Sequence, residues 1–328
     1  NITRCFIYTR RYIVAQLFEI KNGEQFGIFV LIKAADIRTA RNGKPFIAFR
    51  FQDRSGSMDG MFWSATEEEV NLYQAGKVVF LRGKRDTYQG TPQVKIESMR
   101  LAEAGEPDDP TLYVEKVKVK REDLEAELDD ALLLITEPNI ARVVRKIIHQ
   151  TQEDFFVHPA AKRLHHAMAG GLSFHTLSMV KIARNLLSIY PQLNPSLLIG
   201  GIILHDIGKT VELSGAISTE YTLKGKMMGH IVIISEMIDR ACAEIGIDPE
   251  NESILLLKHV VLAHHGKMEF GSPVLPQLLE AELIHYIDDM DAKINMITEV
   301  LDKTEPGEFT SQIFALDRRQ IYKPKFQK

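Results

Sequence analysis

The apolar pattern of this 328-residue chain changes period once, and that change limits what each part can fold into. Up to about residue 102 the apolar side chains form short runs or alternate with polar ones. Beyond about residue 119 they recur every three or four residues. In Pro45–Gln52, Phe46, Ala48 and Arg50 fall on one side and Ile47, Phe49 and Phe51 on the other, the period of a strand. Phe26–Ala34 is an apolar run without helical spacing, and Asn42-Gly43 between the two runs signals a hairpin. Ser55-Gly56 turns the chain into Met58–Trp63, while Gln89-Gly90 separates Lys77–Arg85 from Thr91–Leu101. Glu67–Tyr73 reads as a short helix. Five strands with a helix after the third is the order of an OB-fold barrel, expected over residues 26–102.

The remainder reads as helical. Ala104–Pro110 has the composition of a linker, and Glu137-Pro138 divides a helix over Val119–Ile135 from one over Asn139–Gln150. Leu177–Leu187, Leu197–Leu204, Ile231–Ile245 and Ile254–Ala263 carry helical spacing. The expected plan is a multidomain chain: an N-terminal extension over 1–25, the barrel over 26–102, a linker with helices over 103–159, an all-α bundle over 160–310, and a basic, partly disordered tail over 311–328. Apolar helix faces in 119–150 suggest a homo-oligomer.

Charge and histidine content follow the same division. Residues 1–102 hold 16 Lys and Arg against 10 Asp and Glu, and the rest holds 24 against 34. All eleven histidines lie at or beyond His149. With only Cys5 and Cys242, no disulfide framework is available, and a cytoplasmic location is expected. No apolar run approaches the roughly 18 residues that span a bilayer, and Asn1–Leu17 lacks the pattern of a secretory signal.

The chemistry-bearing residues occur in the order His175, His205-Asp206, His230, His264-His265, Asp288. Imidazole and carboxylate together suit Mn, Fe, Ni, Zn and similar divalent ions, and the absence of thiolates argues against a structural zinc site. Consecutive helical residues point roughly 100° apart. A His-Asp pair can therefore grip one ion with the imidazole while the carboxylate reaches a second. A lone histidine is more often structural, and His149, His158, His259 and His285 are read that way. The two doublets differ, because each ends an apolar helical stretch where unpaired polar groups are costly. Gly170–Ser173 lacks the spacing of a nucleophile elbow, and no Ser/His or Cys/His arrangement stands out.

This ordered series resembles the HD-domain phosphohydrolases. The resemblance implies His175 as first ligand, His205-Asp206 as the doublet, and His230, His264 and His265 as the added ligands of members holding two metals. In YIDDMDAK at 286–293 it favours Asp288 as the last ligand, with Asp291 in support. With the barrel included, the chain is similar to the YhaM-type 3′-5′ exoribonucleases of Gram-positive bacteria over residues 26–310. The matching stretches are NGKPF at 42–46, FWSATEEE at 62–69, HHAMAGGLSFHTLSM at 165–179 and HDIGK at 205–209. The resemblance implies hydrolysis of single-stranded RNA, with single-stranded DNA as an open alternative, by metal-activated hydroxide.

Two divalent ions per chain are expected, manganese first, with iron, cobalt or nickel sharing the same ligands. Lys209, one helical turn beyond His205, is a candidate phosphate contact; the bland alternative is a lysine at a helix C-terminus. His165 and His166 are candidates for substrate contact or proton donation, against a surface pair. In the barrel, Trp63, Tyr88, Arg50, Lys84 and Arg85 are the candidate nucleic-acid contacts, since sequence-tolerant strand binding needs aromatic platforms and cations. Two other functions are compatible with the residues. One is hydrolysis of a cyclic or triphosphate nucleotide, which does not need the barrel. The other is an inert HD scaffold in a nucleic-acid-binding replication factor.

Overall fold

A computed structural model describes residues 16–40, 43, 45–88, 91–162, 166 and 168–326. The readings made on residues 1–15, Asn42, Gln89-Gly90, His165 and Lys328 lie outside them. The chain divides into two units, Asn1–Glu115 and Lys116–Lys328.

In the first unit, β1 (Gln25–Thr39), β2 (Pro45–Asp53), β3 (Gly56–Trp63), β4 (Val78–Tyr88) and β5 (Thr91–Leu101) close in the order β1-β2-β3-β5-β4. β1 pairs antiparallel with both β2 and β4, and the parallel β3–β5 pair completes the ring. This is the expected OB-fold barrel. The alternation in β2 sorts as its period requires: Ile47, Phe49 and Phe51 are buried with Val30, Ile32, Met58 and Leu81. Phe49 and Phe51 are thus core rather than ligand platforms.

Helix α1 (Glu67–Leu72) begins with a capping box, in which Thr66 accepts from the Glu69 amide and Glu69 from the Thr66 amide. The barrel also extends beyond the residues that carry strand periodicity. Leu17 and Ile20 lie in its core, and Tyr113, before the division point, is buried and donates to the Pro107 carbonyl. Neither segment alternates, so periodicity could not assign them.

In the second unit, eight α-helices are present among the described residues: α2 (Arg121–Leu132), α3 (Pro138–Val157), α4 (Gly171–Ile189), α5 (Pro195–Leu204), α6 (Lys209–Glu212), α7 (Leu223–Ile245), α8 (Glu252–Ala263) and α9 (Leu279–Asp302). Pro138 occupies the first turn of α3, where its missing N–H costs nothing, and Glu137 caps the Ile140 amide. α3 continues past Gln150 because Phe155 and Phe156 carry its apolar face onward into the core. In α5 every residue from Ser196 to Leu204 is buried, as expected of a helix apolar all round.

The apolar face of α3 is turned into the unit's own core through Ile140, Val143, Val144 and Ile147, while Val119 and Leu133 in the same stretch stay exposed. One expectation, on the C-terminal tail, is corrected. The tail is folded up to residue 326: Phe309 bridges Tyr322, Ile313 bridges Arg319, and Lys323 donates to the Leu301 and Thr304 carbonyls at the end of α9. Among the described residues no helix is long and apolar enough to cross a membrane.

Candidate metal centre

Five helices of the second unit deliver the histidines and aspartates to one place. α4 supplies His175, fully buried. α5 is anchored at its start by Asn194, whose side chain accepts from the Ser196 and Leu197 amides, and presents His205-Asp206 at its other end. α8 does the same with His264-His265, and α9 contributes Asp288. α7 carries His230 immediately after Gly229, whose φ of 72° interrupts the helix. That kink needs glycine, since φ in this range crowds any Cβ. Gly208 matters for space rather than conformation: a Cβ there would meet the His230 carbonyl oxygen at 2.2 Å.

The groups form two adjoining sets. Ligand-capable atoms of His175, His205 and Asp206 lie within 4.8 Å of one another, as do those of His230, His264 and His265. Asp206 faces both. Its Oδ2 is 3.3 Å from His205 Nε2 and 3.9 Å from His175 Nε2, while its Oδ1 is 3.5 Å from His230 Nε2. Asp288 Oδ1 lies 3.2 Å from His175 Nε2.

The outward nitrogens explain which atoms face inward. Nδ1 of His205, His264 and His265 donates to the carbonyls of Ile202, Val261 and Phe270 at 2.7, 2.6 and 2.7 Å. Nδ1 of His230 meets the Glu212 carboxylate at 3.2 Å, and Nδ1 of His175 meets Asp291 Oδ2 at 2.7 Å. A carbonyl or carboxylate on Nδ1 fixes the proton there and leaves Nε2 with its lone pair, as metal-bound histidines require. Nε2 of His205, His230 and His264, together with Asp206 Oδ1, is buried and makes no hydrogen bond among the described residues. Four converging orphans are expensive unless something takes their lone pairs. A divalent ion has that property, so the residues fit the metal that an HD hydrolase uses.

The electrostatics agree. Burial holds His264 well below the usual imidazole range, helped by the neighbouring His205, so it stays neutral with a lone pair to offer. Burial and His230 lower His265 likewise. At Asp206, burial opposes ionisation, but Lys209 and His205 outweigh it and keep the carboxylate charged. His175 differs: burial disfavours its charged form, yet Asp288 and Asp291 raise it to about 9, so Nε2 keeps a proton facing Asp288 until an ion displaces it.

Lys209 Nζ sits 2.6 Å from Asp206 Oδ2, facing the centre rather than only capping a helix. The surface alternative for His166 does not hold: it is buried, with Nε2 2.8 Å from the same Asp291 oxygen that holds His175. Those two bonds account for a third close group, His166, His175 and Asp291, as a hydrogen-bonded relay. Glu212 was missed. It binds both the amide and the ring of His230 across 18 residues of chain, and no spacing in the sequence announces that contact.

In the barrel, Trp63 is 61% and Tyr88 63% exposed, and Trp63 stacks on Phe46 with centroids 4.6 Å apart. Lys84 is exposed on β4. Two of the predicted contacts are already engaged. Arg50 forks onto Asp59 at 2.7 and 3.1 Å, and Arg85 donates to the Phe18 and Ile20 carbonyls, fastening the segment before β1.

Comparison with known proteins agrees with both units. The HD domain family matches residues 172–293, and the OB-fold nucleic acid binding domain family matches residues 30–102. Among solved structures, the second OB-fold domain of replication protein A from Methanococcus maripaludis covers 28% of this chain and 96% of its own. At 14% identity and a TM-score of 0.23, that likeness carries no weight. The 3′-5′ exoribonuclease YhaM of Geobacillus sp. (strain WCH70) is 42% identical over 304 residues, 93% of each chain. On that extent of identity, the chain belongs to the YhaM family of 3′-5′ exoribonucleases.

Proposed function

We propose that this protein is a metal-dependent 3′-5′ exoribonuclease that hydrolyses single-stranded RNA one nucleotide at a time. The carrying observation is the convergence of Nε2 of His205, His230 and His264 with Asp206 Oδ1, all buried and without hydrogen bonds among the described residues. His175, His205, Asp206 and Asp288 would hold one divalent ion, and Asp206, His230, His264 and His265 a second, manganese being the first candidate. Bound ions supply Lewis-acid polarisation of a phosphoryl oxygen and acidify water.

The remaining chemistry rests on the chain's own groups. Water oxygen bonds to phosphorus while the bond to the preceding 3′ oxygen breaks, releasing a nucleoside monophosphate and a new 3′ hydroxyl. Lys209, kept charged by Asp206 against burial, offers its ammonium to a phosphate oxygen. Asp291 and His166 hold the His175 ring, and Glu212 holds that of His230; these are positioning residues. The barrel binds the strand through Trp63, Tyr88 and Lys84. Stacking does not read the 2′ hydroxyl, so the barrel leaves single-stranded DNA open as a second ligand.

Incubation of the full chain with an end-labelled oligoribonucleotide tests this reading. Stepwise shortening from the 3′ end is expected. It should stop with a chelator and return with added Mn²⁺. Turnover of cyclic or triphosphate nucleotides in place of the oligonucleotide would overturn it.

A further inference from the structure

A short loop follows His264-His265 and stays bonded to the second of them. Met268–Phe270 forms one 3₁₀ turn, closed by the Phe270 amide on the Lys267 carbonyl at 3.0 Å and the Gly271 amide on the Met268 carbonyl at 3.0 Å. Phe270 faces two ways. Its carbonyl accepts the Nδ1 proton of His265 at 2.7 Å, while its ring is 55% exposed with Lys267 Nζ 5.2 Å from the centroid. Glu269 reaches Lys267 only at 3.8 Å, with both side chains well exposed, so that pair leaves the cation accessible.

Phe270 thus presents an exposed aromatic ring with a cation over it, on the loop that also holds the Nδ1 proton of His265. We infer that Phe270 and Lys267 form a nucleotide subsite, with the base of the 3′-terminal nucleotide stacked on Phe270 and a phosphate oxygen near Lys267. The inference rests on the exoribonuclease reading and deepens it. Proximity of the main chain supports it: the Phe270 carbonyl is 2.7 Å from His265 Nδ1, so one imidazole separates this loop from the ligand atoms. An aromatic face beside a cation suits any base, because every base has a π-face and every linkage a phosphate. The His265 bond runs through the Phe270 main chain, so replacing the ring leaves the ligand's partner in place.

The test is steady-state degradation of an end-labelled oligoadenylate by the full chain and its Phe270→Ala and Phe270→Tyr variants, with metal content measured on each. F270A should raise KM about five- to a hundredfold with kcat changed less than about twofold and metal content unchanged. F270Y should restore KM. Binding of a fluorescent oligoadenylate in chelator should weaken in parallel. An unchanged KM, or a loss confined to kcat and metal content, overturns the subsite. A parent chain that leaves the oligoadenylate intact overturns the exoribonuclease reading itself, and the subsite with it.

Discussion

Oδ1 of Asp206 lies 3.5 Å from Nε2 of His230, although the two residues come from different helical segments 24 positions apart. The other oxygen of the same carboxylate is 3.3 Å from His205 Nε2. One side chain therefore spans both histidine sets, and several consequences can be measured.

Asp206→Asn removes the charge between the two sets while keeping the shape. Metal content should fall and RNA degradation should drop by more than the 10–100-fold typical of an outer-shell change. Oligonucleotide binding by the barrel should persist. Metal analysis beside a gel assay checks both.

Glu212→Gln probes the missed residue. It loses the carboxylate on His230 Nδ1 but can still accept from the His230 amide. Metal affinity should weaken about 10- to 100-fold, read by titration with a metal indicator.

At Gly208→Ala the added Cβ would meet main-chain oxygen, which cannot rotate away. The second unit should lose about 1–3 kcal/mol of stability, measured by urea unfolding followed by circular dichroism.

The barrel carries a pH-dependent pair. Arg100 forks onto Glu106 at 2.7 Å through both nitrogens and holds its carboxyl below the ordinary 4.5 despite some burial. A carboxyl lowered on folding stabilises above its unfolded pKa, and the contribution is lost as pH falls through the folded value. Glu106→Gln should therefore cost about 0.5–1 kcal/mol at pH 7, discounted for the exposure of Arg100, and progressively less below about pH 4.5. Trp63 is the only tryptophan and lies in β3, so its fluorescence reports this unfolding.

Much of this architecture was legible because it rests on periodicity. The alternation in Pro45–Gln52 sets the buried face of β2, and the apolar run ending in His205-Asp206 becomes the central helix α5. The ordered His and Asp positions marked the centre because unpaired polar groups at the ends of apolar helices demand partners. What spacing could not show depends on contacts distant in sequence. Glu212 meets His230 across 18 residues, and His166 reaches Asp291 across 125. Likewise Arg50 reads as a free cation until β3 sets Asp59 opposite it. Leu17 and Ile20 carry no pattern of their own, yet the barrel buries them.

The most direct test of the central claim is elemental analysis of the full chain after saturation with Mn²⁺ and removal of loose metal. About two ions per chain are predicted, falling in the Asp206→Asn variant together with RNA degradation. Trace occupancy in a chain that still shortens RNA would contradict the account.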